Sequence, residues 1–90
     1  MLFLILLIGC DSKSDIKIFD INNNSDGTTS FTLINESEKT IKDIIVVFKH
    51  IPLHESEFLE EVEISSIPPN TPKKYKTKES SFITEFIKIK

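Results

Sequence analysis

The chain has no arginine, no alanine, no glutamine and no tryptophan, only one cysteine and only two glycines in 90 residues. Each scarcity excludes something. Nucleic-acid binders present a basic face and use arginine for bidentate contacts to bases and phosphates. A chain with a formal charge of −3 and no arginine does not fit that class. Missing alanine removes the best helix former, while abundant Ile, Phe, Val and Thr favour strands. A single Cys cannot form an internal disulfide, so pairing says nothing of the redox compartment. Two glycines leave no Gly-rich phosphate loop and no Gly-x-Ser-x-Gly nucleophile turn. No nucleophile–base constellation is visible, and so small a domain leaves little room for a pocket beside its core. No enzyme, cofactor or small-molecule substrate is expected.

What is present begins with an apolar run. Met1 to Gly9 carries no charge, and at 1.5 Å per helical residue it covers less than half a bilayer core. It matches the apolar centre of a secretory signal, without the basic flank that normally precedes one: the first Lys is Lys13. A start further upstream, or an atypical signal, is expected. The run ends in Leu7-Ile8-Gly9-Cys10, which resembles the lipobox of bacterial lipoprotein signal peptides. The resemblance implies diacylglycerol transfer to the Cys10 thiol, cleavage between Gly9 and Cys10, and acylation of the new amino terminus. The residue types suit that chemistry, since Gly9 lets a protease approach the backbone and a thiolate is the nucleophile. Asp11 resembles the sorting residue that retains enteric lipoproteins in the inner membrane. The alternative is a first strand or helix with Cys10 as a buried apolar thiol. The polar stretch Asp11 to Asp15 that follows at once favours the signal.

The domain division expected is therefore a signal peptide at 1–9, a lipidated Cys and polar tether at 10–15, and a β-sandwich at 16–90. Removing the signal leaves roughly 80 residues, enough for one modest core. Ile16 to Ile21 reads as a strand with a bulge or two-sided burial, because Ile18 and Phe19 break the alternation. Asp26-Gly27 marks a turn, and Thr29, Phe31 and Leu33 alternate with polar residues in a second strand, closing a hairpin. Thr40 to Lys49 is the most strand-like segment and is apolar on both faces, as a central strand is. Ile41 is out of phase with Ile44, which predicts a bulge there. Pro52 ends that strand. His54 to Ser66 fits a helix or a strand, with Val62-Glu-Ile-Ser-Ser-Ile67 favouring strand and Phe58, Glu60, Val62 and Ile64 on one face. Pro68-Pro69 and Pro72 stiffen the next connection. A short strand around Tyr75 follows. The last strand, Phe82 to Lys90, is expected to carry Ile83, Ile87 and Ile89 on one face and Phe82 and Phe86 on the other.

The segment from Phe31 to Phe48, a strand, an Asn35-x-Ser37 turn and a second strand rich in β-branched residues, is similar to small immunoglobulin-like domains of bacterial envelope proteins. So is the Ile67-Pro-Pro-Asn-Thr71 turn. The resemblance implies an all-β, small immunoglobulin-like antiparallel β-sandwich. The Cys…Trp…Cys core of antibody domains is absent.

Three groups of side chains carry candidate chemistry. His50 and His54 share a helical spacing that can bind metal, but Pro52 between them favours two loop histidines. Glu55, Glu57, Glu60, Glu61 and Glu63 form an acidic run without the spacing of a calcium loop, which reads as a solvated strand face. Lys73, Lys74, Lys76 and Lys78 form a basic run. It can touch anionic headgroups, at about 1 kcal/mol each, or pair across strands with the acidic run. Neither histidine is assigned as a metal ligand. The functional expectation is a lipoprotein held to a membrane through Cys10, with Asp11 as a sorting signal and a protein partner. The alternative is an inhibitor or immunity-type lipoprotein whose acidic run masks a basic toxin or enzyme.

Overall fold

The computed structural model describes residues 12–90. The expected signal segment, with Cys10 and Asp11, lies outside the described residues. Six strands follow a short 3-10 turn at Ser12–Asp15: β1 (Ile16–Asn23), β2 (Thr29–Asn35), β3 (Ile41–Ile51), β4 (Phe58–Ile67), β5 (Lys73–Lys76) and β6 (Ile83–Ile89). They form two three-stranded antiparallel sheets, ordered β1-β2-β5 and β4-β3-β6. The chain is an all-β sandwich, as its composition and alternation imply.

The core is made where β2 faces β3. Phe31 and Leu33 from one central strand meet Ile44, Val46 and Phe48 from the other, closed by Ile16, Ile41, Ile64 and Ile67. The Phe31 and Phe48 rings lie 4.9 Å apart and tilted, Phe31 stacks on Tyr75 at 5.9 Å, and Phe48 meets Phe86 edge-on at 6.0 Å. This aromatic line ties β2, β3, β5 and β6 together. Burial pushes the Tyr75 phenol above its ordinary pKa. Val47, on the outer face of the central strand, is buried too, which accounts for the apolar character of both faces of β3.

Local departures from alternation have identifiable causes. In β1 the pairing with β2 slips between Phe19 and Asn22, and Asp20 takes a left-handed φ of 52°. A bulge, not two-sided burial, explains the pattern: Phe19 and Ile21 are exposed. In β3 the expected bulge at Ile41 is absent. The pairing runs without a slip from Ile41↔Ile67 through Lys42↔Ser66 to Ile44↔Ile64. Asp43, at φ 56°, changes the phase of the strand without an extra residue, and both members of each isoleucine pair stay buried. In β6 the expectation fails for a related reason. Val47 pairs with Lys88 but Phe48 pairs with Phe86, so Ile87 is an extra residue. Ile89 consequently joins Phe86 on the core, while Ile83 and Ile87 stay exposed.

Two turns fix the ends of the hairpins. Gly27 has φ 89°, and a Cβ there would lie 2.9 Å from the Ser80 Cβ, so both backbone and space require glycine. Beside it the Thr28 hydroxyl and amide donate to Asp26 Oδ1 at 2.6 and 2.9 Å, holding that carboxyl below the usual carboxylate range. At the other end, fully buried Asn35 donates through Nδ2 to Lys39 O (2.7 Å) and Ile67 O (2.9 Å), and its Oδ1 accepts from the Ser37 amide (2.9 Å). Its backbone carbonyl accepts from Asn70 N at 2.7 Å. One side chain thus joins the β2–β3 turn to the end of β4, which is the physical content of the Asn-x-Ser turn.

Ser12–Asp15, expected as tether, folds onto the same end. Glu36 N donates to Asp15 O at 2.9 Å, and the Lys13 ammonium donates to the Asp43 carbonyl. The basic run is also placed differently from the cross-strand expectation. Lys73–Lys76 pairs with β2, while β4 pairs with β3, so the two charged runs do not share a ladder.

Candidate functional site

The most polar buried cluster forms at the far end of β3. His50 follows Ile44, Val46 and Phe48 in phase, so its ring enters the sandwich and is fully buried. The sequence expectation of two loop histidines is corrected: only His54 lies in the loop, where it is exposed. The acidic run is divided as well. Glu60 shares the inward face of β4 with Val62 and Ile64, whereas Glu61 and Glu63 stand opposite the outward Val47 and Ile45. Glu60 therefore meets His50, with Oε1 2.7 Å from Nε2. The other ring nitrogen, Nδ1, is 2.8 Å from Ser81 Oγ and 3.3 Å from Thr84 Oγ1. Phe58 stacks over the imidazole at 4.8 Å, and opposes it across the β3–β4 ladder.

The segment 77–81 is shaped to complete this cluster. Thr77 N donates to Thr29 O and Thr77 Oγ1 accepts from Thr29 N, at 2.9 and 3.0 Å. Ser81 N donates to Gly27 O at 3.0 Å. Between these fixed points the amides of Lys78 and Glu79 donate to the Glu60 carboxylate at 2.8 and 3.2 Å. Glu60, an acceptor from both amides, also accepts from His50 Nε2 in the tautomer that carries a proton there. Nδ1 then either accepts from the Ser81 hydroxyl, or donates to it when the ring holds a second proton. In the second case the Ser81 hydroxyl donates its own hydrogen bond to Ile83 O, 2.9 Å away. Among the described residues no buried side-chain nitrogen or oxygen is left without a partner.

Ser81, His50 and Glu60 stand in the order of a hydrolytic relay, and the distances would carry a proton. The surrounding bonds tie the same groups into the fold. The Ser81 amide, which an oxyanion would need, is spent on Gly27 O, and the hydroxyl contacts Ile83 O and Thr84 Oγ1 as well as His50. The imidazole lies sealed beneath Phe58. The cluster joins β3, β4, β6 and the 77–81 segment, and acts as a polar pin.

The surface supplies the remaining candidates. A cleft of about 400 Å³ separates the edges of β4 and β5, walled by Glu60, Glu61 and Glu63 on one side and Lys76 and Lys78 on the other. The two charged runs thus face each other across the sheets, with no ion pair between them among the described residues. On the outer face of β4-β3-β6, Lys49 pairs with Glu57 at 3.2 Å and Lys90 with Glu61 at 2.9 Å. Both pairs are exposed and worth at most about 1 kcal/mol. Beyond the end of β3 the apolar side chains of Leu53 and Phe82 are 65% and 61% exposed, next to Phe58, Leu59 and Ile83. Asp43 near the opposite end of β3 is roughly 26 Å from Ile51, at about 3.3 Å per residue. The exposed apolar end and the docked 3-10 turn therefore occupy opposite ends of the sandwich.

No group of three or more His, Cys, Asp or Glu side chains among the described residues is arranged to hold a metal, and His50 and His54 are not brought together. No helix among the described residues is long and apolar enough to cross a membrane. The chain matches no protein-family model, no curated protein and no solved structure. The sequence missed the Glu60–His50 pair, although its signal was present: each residue continues the inward phase of its strand. Ser81 carried no such signal, because its place is set by a loop.

Proposed function

We propose that the chain is a lipoprotein of the bacterial cell envelope, anchored through lipid on Cys10 and facing the periplasm or the exterior, whose sandwich binds a protein partner and catalyses nothing. The observation that carries this reading is Leu7-Ile8-Gly9-Cys10 at the end of an uncharged apolar run, followed within two residues by the 3-10 turn that opens the folded part. Asp11 is the residue that would sort the protein between membranes. Two features favour a binding module. The polar cluster that most resembles catalytic machinery is committed to holding strands together, and the exposed apolar end lies away from the proposed anchor. Metabolic labelling with a fatty acid tests the anchor: wild type takes up label and Cys10→Ser does not. Absence of label on wild type, or label retained by the variant, refutes it.

A second reading, an inhibitor or immunity-type lipoprotein, is favoured by exposed Glu55, Glu57 and Glu61 near the apolar end. It expects a basic partner that co-purifies at low ionic strength and is released near 1 M salt, where the Debye length is about 3 Å. A partner indifferent to salt speaks against it.

A further inference from the structure

The two outer faces of the sandwich differ in charge. In an antiparallel pair, opposed residues share a face. Phe31 and Leu33 point inward on β2, so Ser30, Thr32 and Ile34 point outward, and the register carries their neighbours with them. Lys17 opposes Ile34, Phe19 and Lys74 flank Thr32, and Asn22 and Lys76 flank Ser30. The outer face of β1-β2-β5 therefore holds three exposed lysines, the exposed ring of Phe19 and no carboxylate at a ladder position. Asp20 lies in the bulge, and Asp26 lies in the turn, where Thr28 engages its carboxyl. None of the three lysines forms an ion pair among the described residues, although Lys76, at the edge, also walls the cleft. The outer face of β4-β3-β6 is the opposite case. Glu61, Glu63 and Glu85 stand on it, and its Lys49 and Lys90 are paired with Glu57 and Glu61.

Of the basic run, only Lys74 and Lys76 belong to this face. Lys73 opposes inward Leu33, and Lys78 lies past the end of β5. Lys17 takes their place, from a strand more than fifty residues earlier in the chain. Unpaired lysines around an exposed aromatic ring suit an anionic lipid surface, where ammonium groups meet phosphates and the ring enters the headgroup boundary. The chain brings such a surface close. The segment outside the described residues ends at Asp11, and only the four residues of the 3-10 turn separate it from β1. β1 is an edge of this same sheet. Lipid on Cys10 would place headgroups at the foot of the lysine-bearing face.

We propose that the outer face of β1-β2-β5 rests on the anionic headgroups of the membrane that holds Cys10, with Lys17, Lys74 and Lys76 over phosphates and Phe19 at the boundary. The choice of occupant rests on the anchor reading, but the test does not. It uses the full chain carrying Cys10→Ser, which cannot be lipidated there, on vesicles of phosphatidylcholine with and without phosphatidylglycerol. The uncharged Met1–Gly9 run is common to every variant, so the ratio of the two partition constants reports charge. A formal charge of −3 predicts exclusion from the anionic vesicles, and only a local basic face reverses that. Roughly tenfold tighter binding to the anionic vesicles is expected. Lys74→Glu with Lys76→Glu removes the preference. Lys88→Glu with Lys90→Glu makes the same charge change on the opposite sheet and leaves the preference within about twofold. The chain has no tryptophan, so Phe19→Trp and Leu59→Trp each create a sole reporter. Brominated lipid in the anionic vesicles is expected to quench the first and spare the second. Equal partition onto both vesicles overturns the proposal. So does a preference that survives reversal of Lys74 and Lys76, one lost equally on reversal of Lys88 and Lys90, or equal quenching of the two reporters. A missing fatty-acid label beside an intact preference removes the anchor and keeps the face.

Discussion

His50→Ala is expected to lower the unfolding free energy by about 3–5 kcal/mol, although the residue touches no solvent and belongs to no motif. The variant removes a fully buried ring and leaves the Glu60 carboxylate without one of its donors. It also strips the Ser81 and Thr84 hydroxyls of a partner and leaves a cavity beneath Phe58. A domain of this size has a total stability at the low end of about 5–15 kcal/mol, so the loss is most of what there is. Urea unfolding checks it. With a slope of about 1–2 kcal/mol per molar, the midpoint should fall by roughly 2 M or more. Glu60→Gln should also destabilise, because it withdraws the charge that His50 and two backbone amides share. His54→Ala, four residues on and exposed, should change stability by no more than about 0.5 kcal/mol. If His50→Ala cost less than about 1 kcal/mol, the cluster would not be the pin described above.

The second large effect is expected at Phe31. Phe31→Ala should cost about 3–5 kcal/mol and lower the melting temperature by roughly 15 °C or more. The ring is fully buried and touches both Phe48 and Tyr75, so it bridges the two sheets and also the β2–β5 pair. Truncation opens a void that neither rigid neighbour can fill without leaving its own contacts. Leu59→Ala is the matched control, removing an apolar side chain that is mostly exposed, and should be near neutral. Thermal unfolding followed by circular dichroism separates the two. Equal shifts for the two variants would mean that the sandwich interior contributes less than its packing implies.

How far the sequence could be read depended on whether a feature was local. β2 was legible because Thr29, Phe31 and Leu33 alternate strictly, and the interior faces one side of it. β4 was legible as a strand because Val62 to Ile67 is β-like, even though Glu-rich sequence also fits a helix. The phases of β1, β3 and β6 were less legible. Left-handed Asp43 and the extra residue at Ile87 move side chains between faces with little sign in the composition around them. Asp suits the left-handed backbone, but it is also an ordinary surface residue. The polar cluster was least legible. Glu60 sits among four other glutamates and differs from them only in strand phase, and its meaning comes from His50 ten residues earlier and two amides eighteen and nineteen residues later. Charge counting treats such a residue as surface. The Asn35 turn was recognisable as a pattern, but its bonds to Lys39 and Ile67 are tertiary.

The docking of the 3-10 turn by Lys13 and Asp15 has a consequence for reach. Only Asp11 separates Cys10 from the folded part, and one extended residue spans at most about 3.6 Å. A lipid-bearing Cys10 would leave the sandwich almost no leash. It could neither swing out into the surrounding compartment nor sample many heights above the headgroups. Its encounters would become a search over an area instead of a volume, confined to molecules in the same leaflet or brought down to it. Lengthening the chain between Cys10 and Ser12 would relax that confinement without altering a single contact in the sandwich.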